Sequence, residues 1–161
     1  MLKRLKRFRA RFYDPTKRAE WIKSTTDITM GTGCRIYNNV SLSTENYLLA
    51  LGNDVLITAG VKFITHDSGA VVAKRMGFGP NEMDLFGRIS LGNNVVIGMN
   101  SILLPGSGTG NNCVVGAGSV VTKKFGDNLV IAGNPAKVIC TMENYFERND
   151  FLHTIGMSYD D

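Results

Sequence analysis

With 161 residues, 43% of them hydrophobic and 20% charged, the chain is long enough for one well-buried domain and short for two. No run approaches the roughly 18 consecutive apolar residues that span a bilayer, and the N-terminus lacks the apolar core of a secretory signal, so a cytoplasmic protein is expected. Cys34, Cys113 and Cys140 are widely spaced and form no CxxC or Cys/His cluster, which argues against zinc and for small buried thiols in a reducing compartment.

The formal charge of +4 is concentrated at one end. Residues 1–24 hold nine Lys or Arg against two acids, which leaves the remainder net acidic. Leu2, Leu5, Phe8 and Phe12 recur at spacings of three and four among those cations, predicting an amphipathic helix. Asp14 followed by Pro15 reads as the N-cap and first position of a second short helix through about Lys23. Residues 1–24 are thus expected to form a basic helical arm with two open destinations. It either packs its Leu/Phe stripe on the rest of the assembly and leaves its charges solvated, or makes peripheral contact with anionic lipid. Nucleic acid is disfavoured, because no recognition fold accompanies the charge.

From Ile28 the text turns rich in Gly, Asn, Val and Ile and acquires a period of six. Leu85, Leu91, Ile97, Leu103, Thr109, Val115 and Val121 form one column, and Ile89, Val95, Ser101, Ser107, Cys113 and Ser119 form a second, smaller one. Upstream, Leu51, Ile57 and Phe63 with Val55 and Val61 repeat the grammar, as do Met30, Ile36 and Leu42, offset by three residues so that a coil near Glu45 to Leu49 is irregular. A helix has the wrong period and would be weakened by so many Gly and Asn. Short strands separated by tight turns satisfy it instead, each circuit stacking about 4.8 Å above the last with both columns pointing inward. Asn and Gly suit the turns because they tolerate left-handed backbone angles. About five such coils are expected over residues 25–140, interrupted by an inserted loop at 66–84 and followed by a short helical tail at 141–161. Thr109 departs from the aliphatic column, and the coil is expected to survive it.

The stretches FGRISLGNNVVIGMNSILLPG, NNCVVGAGSVVTKKF and IAGNPAKVI, with FITHDSG ahead of the inserted loop, resemble the hexapeptide-repeat acyltransferases. The likeness is greatest to bacterial capsular and exopolysaccharide O-acetyltransferases and to the maltose and galactoside O-acetyltransferases. The resemblance implies a mainly β fold, a left-handed parallel β-helix, assembled as a homotrimer with active sites between subunits. It implies acetyl-CoA as donor, a sugar or polysaccharide-precursor hydroxyl as acceptor, and no metal.

One of the two histidines, His66, stands where the repeat breaks. It follows an inward-reading strand, precedes the long insertion and matches the family's catalytic histidine, so the resemblance implies a general base that takes the acceptor's proton as it attacks the thioester. No serine or cysteine beside a second histidine suggests a covalent acyl-enzyme. Asn38 matches an acceptor-binding position of the related sugar acetyltransferases. Asp67 is a second candidate for acceptor binding; neighbours on a strand face opposite ways, so it need not touch His66, and a solvated turn residue is its alternative reading. The resemblance further implies donor contacts from the Met99 and Ala117 backbones, from Thr122 and Lys123 at the nucleotide phosphates, and from Lys137. Cys140 stands where some relatives carry another basic residue. The apolar inserted segment is expected to fold over a neighbouring subunit and wall the acceptor pocket, with Lys74 and Arg75 as candidates to meet an acidic sugar. Two alternatives stay open: N-acetylation of an amino sugar or of another small molecule such as serine or an antibiotic, and a non-enzymatic trimeric scaffold.

Overall fold

The computed structural model describes residues 13–80 and 84–148. The stripe of Leu2, Leu5, Phe8 and Phe12, and the tail from Asn149 that includes His153, lie outside the described residues. The first element described, helix α1 (Pro15–Thr25), begins where Asp14 and Pro15 predict, with the Asp14 carboxylate accepting from the backbone N–H groups of Thr16 and Lys17, both at 3.0 Å. Its inner face buries Arg18, Ala19 and Ile22. Arg18 departs from the expectation of solvated arm charges, because its guanidinium donates to the carbonyls of Ile36 at 2.9 Å and Tyr13 at 2.6 Å. The bond to Ile36 ties α1 to the first circuit of the β domain, and the bond to Tyr13 holds the chain that enters the helix.

Three parallel sheets follow, and the chain visits them in the same rotation each time. The first holds β1 (Thr29–Met30), β3 (Leu49–Leu51), β8 (Ile89–Leu91) and β11 (Gly108–Thr109). The second holds β2 (Arg35–Ile36), β4 (Val55–Ile57), β9 (Val95–Ile97), β12 (Cys113–Val115) and β14 (Leu129–Gly133), and its edge is closed by antiparallel β15 (Ala136–Thr141). The third holds β5 (Lys62–Phe63), β10 (Ile102–Leu103) and β13 (Val120–Val121). This rotation is that of a three-sided parallel β-helix. Ile97 pairs with Val115, eighteen residues on, so one circuit consumes three hexads.

The hexad columns are the core. Ile36, Ile57, Ile97, Val115 and Ile131 stack in register through the second sheet, each fully buried. Phe63, Leu103 and Val121 do the same in the third. Turns between strands use the left-handed conformation as expected: Asn39, Asp54, Asn94, Asn100, Asn112 and Asn128 have φ between 54° and 59°. The asparagines also bond to one another from circuit to circuit, with Asn94 donating to Asn112 and Asn112 to Asn128, both at 2.9 Å. At Gly98 the next turn passes so close that a Cβ would lie 2.4 Å from the backbone nitrogen of Ala117. At this position only glycine lets the two turns stack.

Thr109 is 8% exposed, and β11 pairs with β8 despite it. Its hydroxyl and that of Ser107 have no hydrogen-bond partner, whereas the buried Ser101 and Ser119 hydroxyls both donate to the Gly116 carbonyl. An unsatisfied buried hydroxyl costs roughly 1 to 3 kcal/mol. Thr109→Val, nearly isosteric, is expected to raise the melting temperature by roughly 2 to 4 °C per kcal/mol regained. A calorimetric scan of the two proteins measures it, and a lower melting temperature for the variant would mean the hydroxyl is satisfied.

The period breaks where expected. A single 3₁₀ turn, Asn46–Leu48, carries the irregular coil beside Glu45. The insertion leaves the coil through β6 (His66–Asp67), runs through helix α2 (Ala70–Arg75) and returns through β7 (Leu85–Phe86), which pairs antiparallel with β6. Leu85 therefore does not begin the downstream column. It is 44% exposed opposite Asp67, and the parallel ladder resumes at Ile89. Helix α3 (Met142–Arg148) follows β15. Among the described residues, no helix is long and apolar enough to cross a membrane. Cys34 and Cys113 are buried thiols inside the coil, and burial pushes their pKa values up; Cys140 is half-buried.

Candidate active site

His66 is carried out of the third sheet by the rigid strand that ends at Phe63, and its side chain remains 47% exposed. Its Nδ1 lies 3.1 Å from Oε2 of Glu45, a residue that sequence reasoning did not select. The same Oε2 accepts from the Thr65 hydroxyl at 2.8 Å and from the Ser43 hydroxyl at 3.1 Å, and the other oxygen accepts from the Thr44 hydroxyl. Hydrogen bonds from Thr44 and then Thr65, with a smaller one from His66, pull the Glu45 carboxyl from an ordinary 4.5 down to about 2 against the opposing effect of desolvation. Glu45 is therefore an anion, which can only accept. The bond to it requires that His66 carry a proton on Nδ1, so that in the neutral imidazole Nε2 is the nitrogen with the free lone pair.

A cavity of about 340 Å³ opens here, lined by Glu45, His66, Asp67 and, from the insertion, Val71, Asp84 and Phe86. The insertion, expected to fold over a neighbouring subunit, lines this cavity of its own chain. Asp67 does not orient His66: its Oδ1 accepts from the Gly69 backbone N–H at 2.7 Å and so shapes the turn into α2. Lys74 donates to Asp84 at 3.4 Å.

The remaining candidates fall at two corners of the prism. Asn38, Met99 and Ala117 stack at the corner between the second and third sheets: the Asn38 carbonyl accepts from Gly60, and the Met99 carbonyl accepts from Gly118 at 2.7 Å. Lys137 stands beside this column, paired with Ala132, whose Cβ reaches to within 2.8 Å of where a Gly116 Cβ would be. Thr122 and Lys123 lie at the next corner, following Val121 as Ile64 and Thr65 follow Phe63, and so share the edge from which His66 departs. The Lys123 ammonium sits 5.5 Å from the centre of the Phe125 ring. Within one chain, therefore, His66 and the Met99/Ala117 turns are on opposite sides of the third sheet.

A family model described as the hexapeptide repeat of succinyl-transferase matches residues 88–123. Protein CapG of Staphylococcus aureus is 50% identical over 120 residues, covering 73% of this chain and 68% of that protein. The chain belongs to the hexapeptide-repeat acetyltransferase family. It is an acyltransferase. Among others, this hexapeptide-repeat enzyme is 34% identical over 125 residues to the galactoside O-acetyltransferase of Escherichia coli, spanning 74% of this chain and 59% of the relative. A solved galactoside acetyltransferase in complex with coenzyme A superposes with a TM-score of 0.60 at 25% identity, over 87% of this chain and 78% of that one.

Proposed function

We propose that the enzyme transfers acetyl from acetyl-CoA to a hydroxyl of a sugar or polysaccharide precursor in the cytoplasm, with His66 as general base. The observation that carries this reading is the Glu45–His66 pair lining the 340 Å³ cavity, with Nδ1 turned to the carboxylate and half the imidazole exposed. Nε2 takes the proton of the acceptor hydroxyl as its oxygen bonds to the thioester carbonyl carbon. The tetrahedral intermediate collapses with cleavage of the C–S bond, and the imidazolium returns the proton to the thiolate. A backbone N–H from a coil edge supplies the oxyanion contact. The Glu45 carboxylate stabilises the imidazolium throughout.

The donor lies along the coil edge against Met99 and Ala117, with Lys137, Thr122 and Lys123 on its phosphates. The relative solved with coenzyme A supports the donor class. The two-corner arrangement supports a homotrimer of left-handed prisms, since a neighbouring copy can bring its Met99/Ala117 corner to the His66 edge that one chain holds apart. Asn38 and Asp67 would then contact the acceptor from the two sides of that cleft. The decisive test is thiol release from acetyl-CoA across an acceptor panel, with mass spectrometry of the product; a product acetylated on nitrogen would overturn the hydroxyl assignment.

Lys137→Ala is expected to raise the dissociation constant for acetyl-CoA roughly threefold to tenfold. The loss should be smaller for the donor lacking its 3′-phosphate, because Cys140 leaves Lys137 with less basic company there. Titration calorimetry with both donors measures it, and equal losses would remove Lys137 from the 3′-phosphate.

A further inference from the structure

We infer that the acceptor ring entering this cavity bears no carboxylate: the site is built for a neutral or amino sugar and against a uronic acid. The inference rests on the acetyl-transfer reading above. Three carboxylates line the cavity, Glu45, Asp67 and Asp84, and no lysine or arginine does among the described residues. Lys74 does not line the cavity; it is bonded to Asp84, and its side chain is only 21% exposed. Glu45 is an anion with every oxygen occupied by hydroxyls or by His66, so it is unavailable as a partner and acts on the acceptor only through its charge.

Asp67 and Asp84 differ from it. Each carries one oxygen engaged, by the Gly69 N–H and the Lys74 ammonium respectively, and each is exposed, which leaves acceptor capacity directed at the hydroxyl or ammonium donors of a ligand. Phe86 stands across the antiparallel pair from His66 and is 54% exposed, so an aromatic face flanks the reactive imidazole. A flat apolar ring beside two hydrogen-bond-accepting carboxylates matches a pyranose, whose C–H face packs on the ring while its edge hydroxyls donate. A carboxylate on that sugar would meet an excess of fixed negative charge, because Lys74 offsets Asp84 alone and leaves Glu45 and Asp67 uncompensated, which is discrimination by repulsion.

The test is the rate of thiol release from acetyl-CoA with matched pairs of methyl glycosides and methyl glycosiduronates in gluco, galacto and manno configuration. For the best-accepted configuration, kcat/KM for the uronate should fall at least roughly tenfold below that of its uncharged partner. Asp67→Asn keeps the oxygen that accepts from Gly69, and combining it with Asp84→Asn should bring the ratio to within roughly threefold. A uronate accepted as well as or better than its partner, or a ratio unmoved in the double variant, overturns this assignment and leaves acetyl transfer standing. Absence of thiol release with every acceptor overturns the parent reading and this one with it.

Discussion

His66→Ala is expected to lower acetyl transfer by roughly 10²- to 10⁴-fold, the usual contribution of a positioned general base. The substitution removes an imidazole whose single hydrogen-bond partner among the described residues is Glu45 and which makes no part of the hexad core, so the coil should fold unchanged. Donor affinity is the discriminating measurement. The proposed donor contacts, the Met99 and Ala117 backbones with Thr122, Lys123 and Lys137, include no bond to the imidazole, whose partner is Glu45. Acetyl-CoA should therefore bind the variant within about twofold of the parent. Thiol-release kinetics and titration calorimetry on the same preparation separate the two effects. An active variant would remove His66 as the base; an inactive variant that also fails to bind donor would point to a collapsed site instead of a missing proton acceptor.

The architecture was legible because a three-sided β-helix writes its geometry into the sequence. A period of six is two inward positions and a turn, and the columns led by Leu91, Ile97 and Leu103 proved to be the buried stacks. The Asp14–Pro15 start of α1 was equally local, since a capping side chain and a proline act within three residues of themselves. Leu85 shows where pattern alone fails. It satisfies the period by spacing, yet the residue opposite it, Asp67, belongs to a two-stranded antiparallel pair outside the prism, and no count of hexads reports pairing direction. Glu45 was missed for a related reason. It lies 21 residues before His66, and a partner across one circuit has no spacing signature of its own. The signal available was indirect: the upstream register slips by three residues at this coil, and a chain that breaks its repeat at two places facing each other is building something there. The division of the candidate residues between two corners also needed coordinates, because the corner a turn occupies depends on how many hexads the insertion displaces.

The second large effect is expected from Glu45→Gln, which should lower kcat roughly 10- to 10³-fold while leaving the donor's KM unchanged. Glutamine keeps the length of the side chain and an oxygen that can accept from Nδ1, so the imidazole need not turn. What disappears is the negative charge that stabilises the imidazolium formed as the acceptor attacks, and that charge matters only once the proton has moved. Glu45→Asp, which restores the charge on a shorter stem, should recover part of the loss; no recovery would mean that side-chain reach governs the effect. A second readout follows from pH. The carboxyl is held at about 2 in the folded chain against an ordinary 4.5, so its hydrogen bonds add stability that is fully present above pH 4.5 and is lost as pH falls from there through 2. Melting temperature against pH should consequently fall less steeply below pH 4.5 in Glu45→Gln than in the parent. Parallel acid limbs in the two proteins would mean that Thr44, Thr65 and His66 do not hold this carboxylate charged, and the tautomer assigned to His66 would lose its support.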